Sequence, residues 1–322
     1  MEACATDLTL HVPPASPLPP GNGLSSLDRT LNGDKWAYTT LTINDGDATT
    51  FGAALKPYSH LRYVDARNNQ LSDVGGVTSL RVLLALDVRD NALSGALPSF
   101  ADNAFLASVN ASGNKLTSLE GGGGAALETL NVARNEVASL AGLAAYPALR
   151  TAYAGGNALT TTKGAGACAA LETLDVSANA VTSLAGLGRC KALTTLDARD
   201  NQVASLADAA PWPPALATLN LGGNPVESLD EVRRLPRTLE ALTLAGSPVA
   251  GEENYRVEVL LALQFRLKAL DGEAYTGEEF AAARAVLRER RAAEAAAAAA
   301  AAEAAAEAAA EEAAAEGEGK EE

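Results

Sequence analysis

The stretch LETLDVSAN, Leu171 to Asn179, has apolar residues at its first, fourth and sixth positions and asparagine at its ninth. The same pattern, L-x-x-L-x-L-x-x-N, returns along most of the chain. Its other copies are LRYVDARNN ending at Asn69, LALDVRDN at Asn91, LASVNASGN at Asn114, LETLNVARN at Asn135, LRTAYAGGN at Asn157, LTTLDARDN at Asn201, LATLNLGGN at Asn224 and LEALTLAGS at Ser247. Successive endings lie 21 to 23 residues apart. A period held over nine units indicates a repeat architecture.

Each unit predicts one short strand, because its apolar residues alternate with polar ones. Leu174 and Val176 then point inward, while Thr173 and Asp175 point outward. Neighbouring strands pair into a parallel sheet. The asparagine follows where the chain turns, and its amide can bond backbone groups that the bend leaves without partners, which predicts a buried polar ladder. A later apolar pair closes each layer with a short irregular or 3₁₀ segment on the convex side. The fold class is therefore an α/β repeat solenoid, a leucine-rich-repeat horseshoe with a parallel concave sheet.

The two ends of such a stack need caps, because one unit cannot bury its apolar face alone. YTTLTINDGDATTF (Tyr38–Phe51) predicts a degenerate opening unit, and LSSLDRTL (Leu24–Leu31) has the spacing of a helix that covers its edge. EENYRVEVLLALQFRLKALDG (Glu252–Gly272) has apolar residues at helical spacing followed by a turn. We therefore divide the chain into an N-terminal cap with a degenerate repeat (24–57), nine repeats (58–250) and a C-terminal cap (251–275).

The two terminal segments carry no repeat. Residues 1–23 contain five prolines and no periodicity, and we read them as disordered or extended. Thr276 and Glu279 form a capping box that predicts an Ala/Glu-rich helix over residues 276–316. An acidic tail (317–322) follows.

The predicted helix contains few large apolar residues beyond Leu287, so it is coiled-coil-like without a heptad seam. Two interpretations stay open. It is either a solvated tail, or a strut whose first half docks on a partner through Phe280, Arg284, Arg288 and Arg291.

Composition narrows the classes of partner. The 322 residues are 48% hydrophobic but only 4% aromatic, which suits thin stacked layers. The formal net charge of −15 argues against nucleic acid and anionic membrane as partners and favours a basic protein surface. The start lacks the features of a secretory signal, and no apolar stretch of roughly 20 residues offers a membrane span. The three cysteines have no metal-binding spacing and indicate a reducing compartment.

Catalytic chemistry has few candidate residues. His11 and His60 are the only histidines, so no histidine-based triad or metal cluster is expected. The run Gly121–Gly124 does not match a phosphate-binding loop and predicts a flexible convex loop. We expect no enzyme activity, no cofactor and no small-molecule substrate.

The outward positions of the predicted strands form the candidate partner-binding surface. A sheet of this length is suited to gripping a polypeptide, with two tyrosines as large anchors. Acidic and basic residues two apart on one strand can also neutralise each other, so a solvated surface is the alternative. The predicted partner-binding residues on this face are Tyr63, Asp65, Arg67, Asp87, Arg89, Asn131, Tyr153, Asp175, Asp197 and Arg199.

Four segments carry a resemblance to a known family. PYSHLRYVDARNNQLSDV (Pro57–Val74), LETLNVARN, LTTLDARDNQ and the EENYR cap resemble the leucine-rich repeat-containing protein 23 family of axonemal radial spokes, whose algal member is radial spoke protein fifteen. The resemblance implies a location in the cytoskeleton of the cilium or flagellum, and a scaffolding role among other radial spoke proteins in a large complex. The Ala/Glu tract departs from that family. The alternative function is a regulatory subunit of a protein phosphatase, since related short repeats serve that role.

Overall fold

A computed structural model describes residues 23–30 and 35–318. The Pro-rich segment up to residue 22 and the last four residues of the acidic tail lie outside these ranges. The main sheet of the described chain has 13 strands, and a second sheet has two. The strands of the main sheet are β1 (Leu24–Arg29), β2 (Trp36–Thr42), β3 (Tyr63–Asp65), β4 (Ala85–Asp87), β6 (Ser108–Asn110), β8 (Thr129–Asn131), β9 (Thr151–Tyr153), β10 (Thr173–Asp175), β11 (Thr195–Asp197), β12 (Thr218–Asn220), β13 (Ala241–Thr243), β14 (Ala269–Leu270) and β15 (Glu273–Ala274).

The strands from β2 to β14 are parallel, and each pairs with the strand of the next repeat in the same register. Thr173, Leu174 and Asp175 of β10, for example, stand opposite Thr195, Leu196 and Asp197 of β11. The middle residue of each strand points into the core, and Leu174 and Leu196 are fully buried. The predicted leucine-rich-repeat solenoid with a long parallel sheet is confirmed.

The opposite side of the solenoid is irregular, as the sequence predicts. Most repeats close with a short 3₁₀ segment, whereas two repeats instead contribute β5 (Ser94–Ala96) and β7 (Lys115–Ser118) to the second sheet. The 3₁₀ segments are Lys56–Tyr58, Gly75–Ser79, Ala141–Ala145, Ala165–Ala167, Leu187–Arg189 and Pro248–Gly251. One repeat contains a short helix, α1 (Leu229–Val232). Leucines from both sides meet in one continuous apolar core.

The asparagine ladder joins each repeat to the one before it. The Asn114 side-chain amide donates to the carbonyl oxygens of Ala111 and Ser112 in its own repeat, at 3.0 and 3.2 Å, and to Val88 of the preceding repeat at 3.0 Å. Its oxygen accepts the N–H of Leu93, also in the preceding repeat, at 3.0 Å. Because backbone groups at this bend have no strand partners, each asparagine rung satisfies at least four of them.

The residue before each ladder position has a left-handed backbone. Its φ is +56° at Arg134 and +51° at Ala178, and glycine occupies the same position in other repeats, as at Gly156 with φ of +66°. Glycine adopts this conformation without the steric cost that a side chain incurs. The turn therefore requires a positive φ in every repeat, but only some repeats have glycine, the residue that adopts it with least strain, at this position.

The segment Leu24–Arg29 is a strand and not the helix that its leucine spacing predicts. It runs antiparallel to β2, with Leu24 opposite Leu41 and Arg29 opposite Trp36. Leu24 is partly buried against the core, whereas Leu27 is 58% exposed, so burial of leucine alone does not hold this segment. The unpaired edge of β2 offers a row of backbone donors and acceptors, and pairing with them outweighs a weak helical pattern.

Part of the run Gly121–Gly124, which the sequence predicts to be a flexible loop, is closely packed at Gly122, whereas a Cβ at Gly121 would meet nothing within 4 Å. The Gly123 carbonyl oxygen accepts the N–H of Phe100 at 2.7 Å. A Cβ at Gly122 would lie 2.1 Å from the buried Tyr146 hydroxyl oxygen. Glycine is required here because the chain passes directly over this ring.

The C-terminal cap consists of helix α2 (Tyr255–Ala262) and the hairpin of β14 and β15. Asp271 and Gly272 form its two-residue turn, with φ of +55° and +84°. Asp-Gly favours such a turn because both positions need a positive φ. The Asp271 carboxylate also accepts the N–H groups of Leu244 and Ala245, at 2.7 and 2.9 Å.

Helix α3 (Gly277–Glu318) follows the cap, and its predicted capping box is confirmed. The Thr276 N–H donates to the Glu279 carboxylate at 2.7 Å, and the Glu279 N–H donates to the Thr276 hydroxyl at 3.2 Å. At ~1.5 Å per residue this helix is roughly 60 Å long. Its side chains from 288 to 305 are exposed.

Candidate functional site: the concave sheet face and the start of the C-terminal helix

The register of the sheet aligns the outward residues of successive repeats in columns. The last residues of the strands form the central column, and two side columns flank it. The central column from β3 to β13 contains Asp65, Asp87, Asn110, Asn131, Tyr153, Asp175, Asp197, Asn220 and Thr243. The structure thus brings the predicted residues of this column onto one surface, with Tyr153 38% exposed.

The column two residues farther along contains the predicted arginines. Each lies beside the acidic residue of its own strand, with Nε to Oδ2 distances of 3.7 Å for Arg67 and Asp65, 3.5 Å for Arg89 and Asp87, and 3.6 Å for Arg199 and Asp197. These distances fit loose ion pairs on a partly exposed surface. Asp65, Asp87 and Asp197 are therefore paired within their own repeats.

Burial and charge act against each other at two of these acids. Partial burial raises the pKa of the Asp87 carboxyl, while the Arg89 N–H and guanidinium lower it. The same causes raise the pKa of Asp197, where the counteracting residue is Arg199. Desolvation is the larger effect in both, which is the cost of holding a carboxylate against the sheet.

The middle of the face has a different composition. At the arginine position β8, β9 and β10 are followed by Ala133, Gly155 and Ser177. Asp175 accepts the Ser177 N–H at 2.8 Å and has no ion pair within residues 23–30 and 35–318. An unneutralised carboxylate therefore lies beside the exposed Tyr153 ring on the neighbouring strand.

The first outward column consists mainly of threonine, which was not singled out from the sequence. After Tyr63, which is 46% exposed, it contains only small or β-branched residues. They are Ala85, Ser108, Thr129, Thr151, Thr173, Thr195, Thr218 and Ala241. The repeated threonine was a readable signal. These small polar side chains surround Tyr153 and project little from the sheet, so a second polypeptide can approach the ring closely.

Helix α3 is fixed to the cap by Arg256, a residue that the sequence analysis missed. The Arg256 Nε donates to Glu279 at 2.5 Å, and its guanidinium lies 4.8 Å from the centre of the Tyr275 ring. The arginine lowers the pKa of Glu279 to about 2, with help from the Thr276 N–H. About three turns after Glu279, Arg290 donates to Glu258 at 2.5 Å. These contacts set the direction in which the helix leaves the solenoid.

The four predicted residues on α3 divide into two groups. Phe280 packs within the cap, with ring centres 5.9 Å from Tyr275 and 6.4 Å from Phe265. Arg284, Arg288 and Arg291 are exposed and have no ion pair in the part of the chain that the structure describes. The arginines are thus accessible to a partner, whereas Phe280 is partly committed to anchoring its own helix.

Groups suited to catalysis do not converge on this face. Burial raises the pKa of both the Cys168 and Cys190 thiols to about 11, and each donates to a backbone carbonyl. A thiol held protonated is a poor nucleophile. Among the described residues, no three histidine, cysteine or acidic side chains are grouped to hold a metal ion. None of the helices described is both long enough and apolar enough to cross a membrane.

Part of the sequence is similar to that of curated proteins, and the fold is similar to that of solved structures. Over 121 residues the chain is 36% identical to human leucine-rich repeat-containing protein 23 and 35% identical to the Bos taurus protein of that name. The human match covers 38% of this chain and 34% of that protein, so it spans about a third of the relatives' length. The predicted resemblance is confirmed over this region. No family model matches the chain.

Solved leucine-rich-repeat structures share the architecture. The leucine-rich repeat domain of APL1B superposes with a TM-score of 0.55 at 21% identity, covering 65% of this chain and 61% of that one. The mouse RP105/MD-1 complex gives a TM-score of 0.58 at 18% identity, covering 71% and 41%. The LRIM1/APL1C complex gives 0.55 at 22% identity, covering 65% and 39%. At these identities the likeness establishes the fold alone.

Proposed function

We propose that this chain is a non-enzymatic structural subunit of the ciliary or flagellar axoneme, a scaffold that binds other radial spoke proteins. The observation that carries the proposal is the match to leucine-rich repeat-containing protein 23, at 36% identity over 121 residues. The HLRYVD start of the first full repeat and the layout of the cap add to it. The radial spoke role is part of this proposal: it applies to the whole chain a family resemblance that the sequence match covers over 38% of the residues.

The geometry supports a protein partner for the concave face. This face combines two exposed tyrosines with rows of threonine and acidic residues, so it offers aromatic anchors within a polar surface. Interfaces draw most of their affinity from a few such anchors. Two structural relatives were solved as complexes, LRIM1 with APL1C and RP105 with MD-1, which also favours protein partners. The net charge of −15 favours a basic surface on the partner.

The start of helix α3 is a second proposed contact. Arg284, Arg288 and Arg291 present positive charge on an otherwise acidic chain, and the capping contacts at Arg256 hold the first turns in place. We propose that these arginines meet an acidic part of the same assembly. The concave face and the helix then bind surfaces of opposite charge.

Fractionation of flagella tests the proposal. A tagged chain expressed in a flagellated cell should remain with axonemes after detergent removes the membrane, and should be lost from axonemes that lack radial spokes. A chain recovered only in the detergent-soluble fraction contradicts the axonemal role. Recovery of a phosphatase catalytic subunit as the main partner would favour the regulatory alternative.

A matched pair of variants locates the binding surface. Tyr63→Ala with Tyr153→Ala removes both concave anchors and should lower the fraction of the chain bound to axonemes severalfold, as expected for aromatic anchors. Phe105→Ala removes another exposed aromatic, which lies outside the strands and is 58% exposed, and should leave binding unchanged. Equal retention of both variants would place the contact elsewhere on the chain.

A further inference from the structure

Gly155 brings the Asp175 carboxylate towards the strand that holds Tyr153. A Cβ at Gly155 would lie 3.3 and 3.4 Å from the two Asp175 carboxylate oxygens and 2.8 Å from the Ser177 hydroxyl oxygen. The carboxylate thus leans over the glycine, two residues after Tyr153 on the same strand. Tyr153 and Asp175 also stand opposite each other in the strand register. Tyr153 and Asp175 are therefore outward-facing neighbours on adjacent strands.

Among the residues whose positions are described, the Asp175 carboxylate has no ion-pair partner of the kind that the other acids of the central column have. Asp65, Asp87 and Asp197 each have an arginine on their own strand. Ser177 stands in that place for Asp175 and offers only a backbone N–H at 2.8 Å. Arg150, a basic residue of the same two repeats, is bonded to Glu172 at 2.6 Å. Along the central column, Asp175 is thus the acid left without a counter-ion in the described chain.

An aromatic ring beside a free carboxylate is suited to a cationic side chain. The ring face attracts the cation through its quadrupole and the methylene stem through apolar contact. The carboxylate supplies a charge-assisted hydrogen bond. Anionic partners such as nucleic-acid phosphate are disfavoured by the same carboxylate and by the acidic balance of the chain.

We propose that Tyr153 and Asp175 form the anchor point for one lysine or arginine side chain of the partner protein. The inference rests on the proposed use of the concave face and specifies the chemistry of its central contact. The threonines and small residues around the anchor, such as Thr151, Thr173 and Ala133, allow the partner backbone to lie close to the sheet. The acids paired with arginine, Asp65, Asp87 and Asp197, form part of the polar surface around this anchor.

Peptide selection on the purified full chain tests the anchor. A random dodecapeptide library is selected on the parent chain, and the dissociation constants of the recovered peptides are measured for the parent, Asp175→Asn and Asp197→Asn. The two variants make the same change in neighbouring strands, but only Asp175 lacks an arginine. We expect binders to share a lysine or arginine and to lose about tenfold in affinity with Asp175→Asn, against less than about threefold with Asp197→Asn.

A double-mutant cycle assigns that loss to the proposed contact. Replacing the shared basic residue of the peptide by norleucine should cost about tenfold more on the parent chain than on Asp175→Asn, where only the attraction to the Tyr153 ring is left to lose. Thermal unfolding of both variants at the parent temperature excludes misfolding as the cause.

Two results overturn the anchor. One is a set of binders that lose affinity with Tyr153→Ala yet contain no basic residue, and the other is an equal effect of Asp175→Asn and Asp197→Asn. Either result leaves binding by the concave face intact, because axonemal retention of the Tyr63→Ala, Tyr153→Ala variant is measured separately. Loss of axonemal retention with an intact peptide contact would instead place the failure in the radial spoke role.

Discussion

The repeats and the C-terminal cap meet the same problem with different side chains. In the repeats, the bend after each strand is satisfied by a neutral amide, which at Asn114 both donates and accepts. In the cap, Asp271 follows β14, whose register places it opposite Thr243 and not at a ladder position, and it only accepts, from the N–H groups of Leu244 and Ala245 and from the Tyr255 hydroxyl at 3.1 Å. Ser247 lies between them and reaches one carbonyl, that of Leu221.

The difference shows what makes a polar rung repeatable. An amide adds no charge, so many can be stacked in a low-dielectric interior, provided that both its N–H groups and its oxygen find partners. A carboxylate is tolerated where N–H and O–H groups donate to it. It is not tolerated where backbone carbonyl oxygens point at it, because both groups carry full or partial negative charge. The carboxylate beside Tyr255 raises the pKa of that phenol further than burial alone.

Exchanging the amide for a carboxylate inside the stack has the largest expected effect. Asn114→Asp places a charge against three carbonyl oxygens, and should lower the free energy of unfolding by about 4 kcal/mol at pH 7. Urea unfolding measures it. Asn114→Ala removes the same bonds without a charge and should cost about 2 kcal/mol. Equal losses for both variants would show that the rung does not discriminate against charge.

The reverse exchange in the cap is expected to cost less. Asp271→Asn keeps an oxygen for the two backbone N–H groups but weakens the bonds, and should lower the free energy of unfolding by about 1 kcal/mol. Asp271→Ala, which leaves both N–H groups without this acceptor, should cost about 2 kcal/mol in the same urea experiment. An asparagine variant as stable as the parent would mean that the cap, unlike the stack, is indifferent to charge.

The smallest effect concerns the left-handed residue before each rung. Ala178→Gly relieves a positive φ of 51° and should raise the free energy of unfolding by about 0.5 kcal/mol, because relief of backbone strain exceeds the added freedom of the unfolded chain. Gly156→Ala makes the opposite change one repeat earlier and should lower it by about 1 kcal/mol. Differential scanning calorimetry resolves both. Destabilisation by Ala178→Gly would contradict the strain assigned to this turn.

The repeating part of the fold was predictable because its information is local and periodic. The spacing of leucine and asparagine defined the strands, the buried column and the ladder, and all three are present. The ends were harder, since Leu24–Arg29 becomes a strand by pairing with an open sheet edge that no local pattern describes. The contact of Gly122 with Tyr146 joins residues in different repeats, so glycine content alone suggested flexibility instead of close packing.

The candidate site was predictable in its positions but not in its electrostatics. Alternation along each strand placed Tyr153 and Asp175 outward, and the Asp-x-Arg spacing indicated the three neutralised pairs. That Asp175 leans towards Tyr153 follows from the missing side chain at Gly155 and needs the packing of two repeats. Arg256 was missed because Glu279, its main partner, lies 23 residues away along the chain.

The first and last strands of the main sheet run antiparallel to their neighbours, and this sets where the parallel sheet stops. β1 is antiparallel to β2, and β15, only two residues long, is antiparallel to β14. The reversed strand at one end and the two-residue strand at the other terminate the parallel pattern of the sheet in the described chain. The sheet is as regular inside as that of a filament, but an antiparallel strand closes it at each end. The length of the parallel sheet is therefore fixed within the described chain.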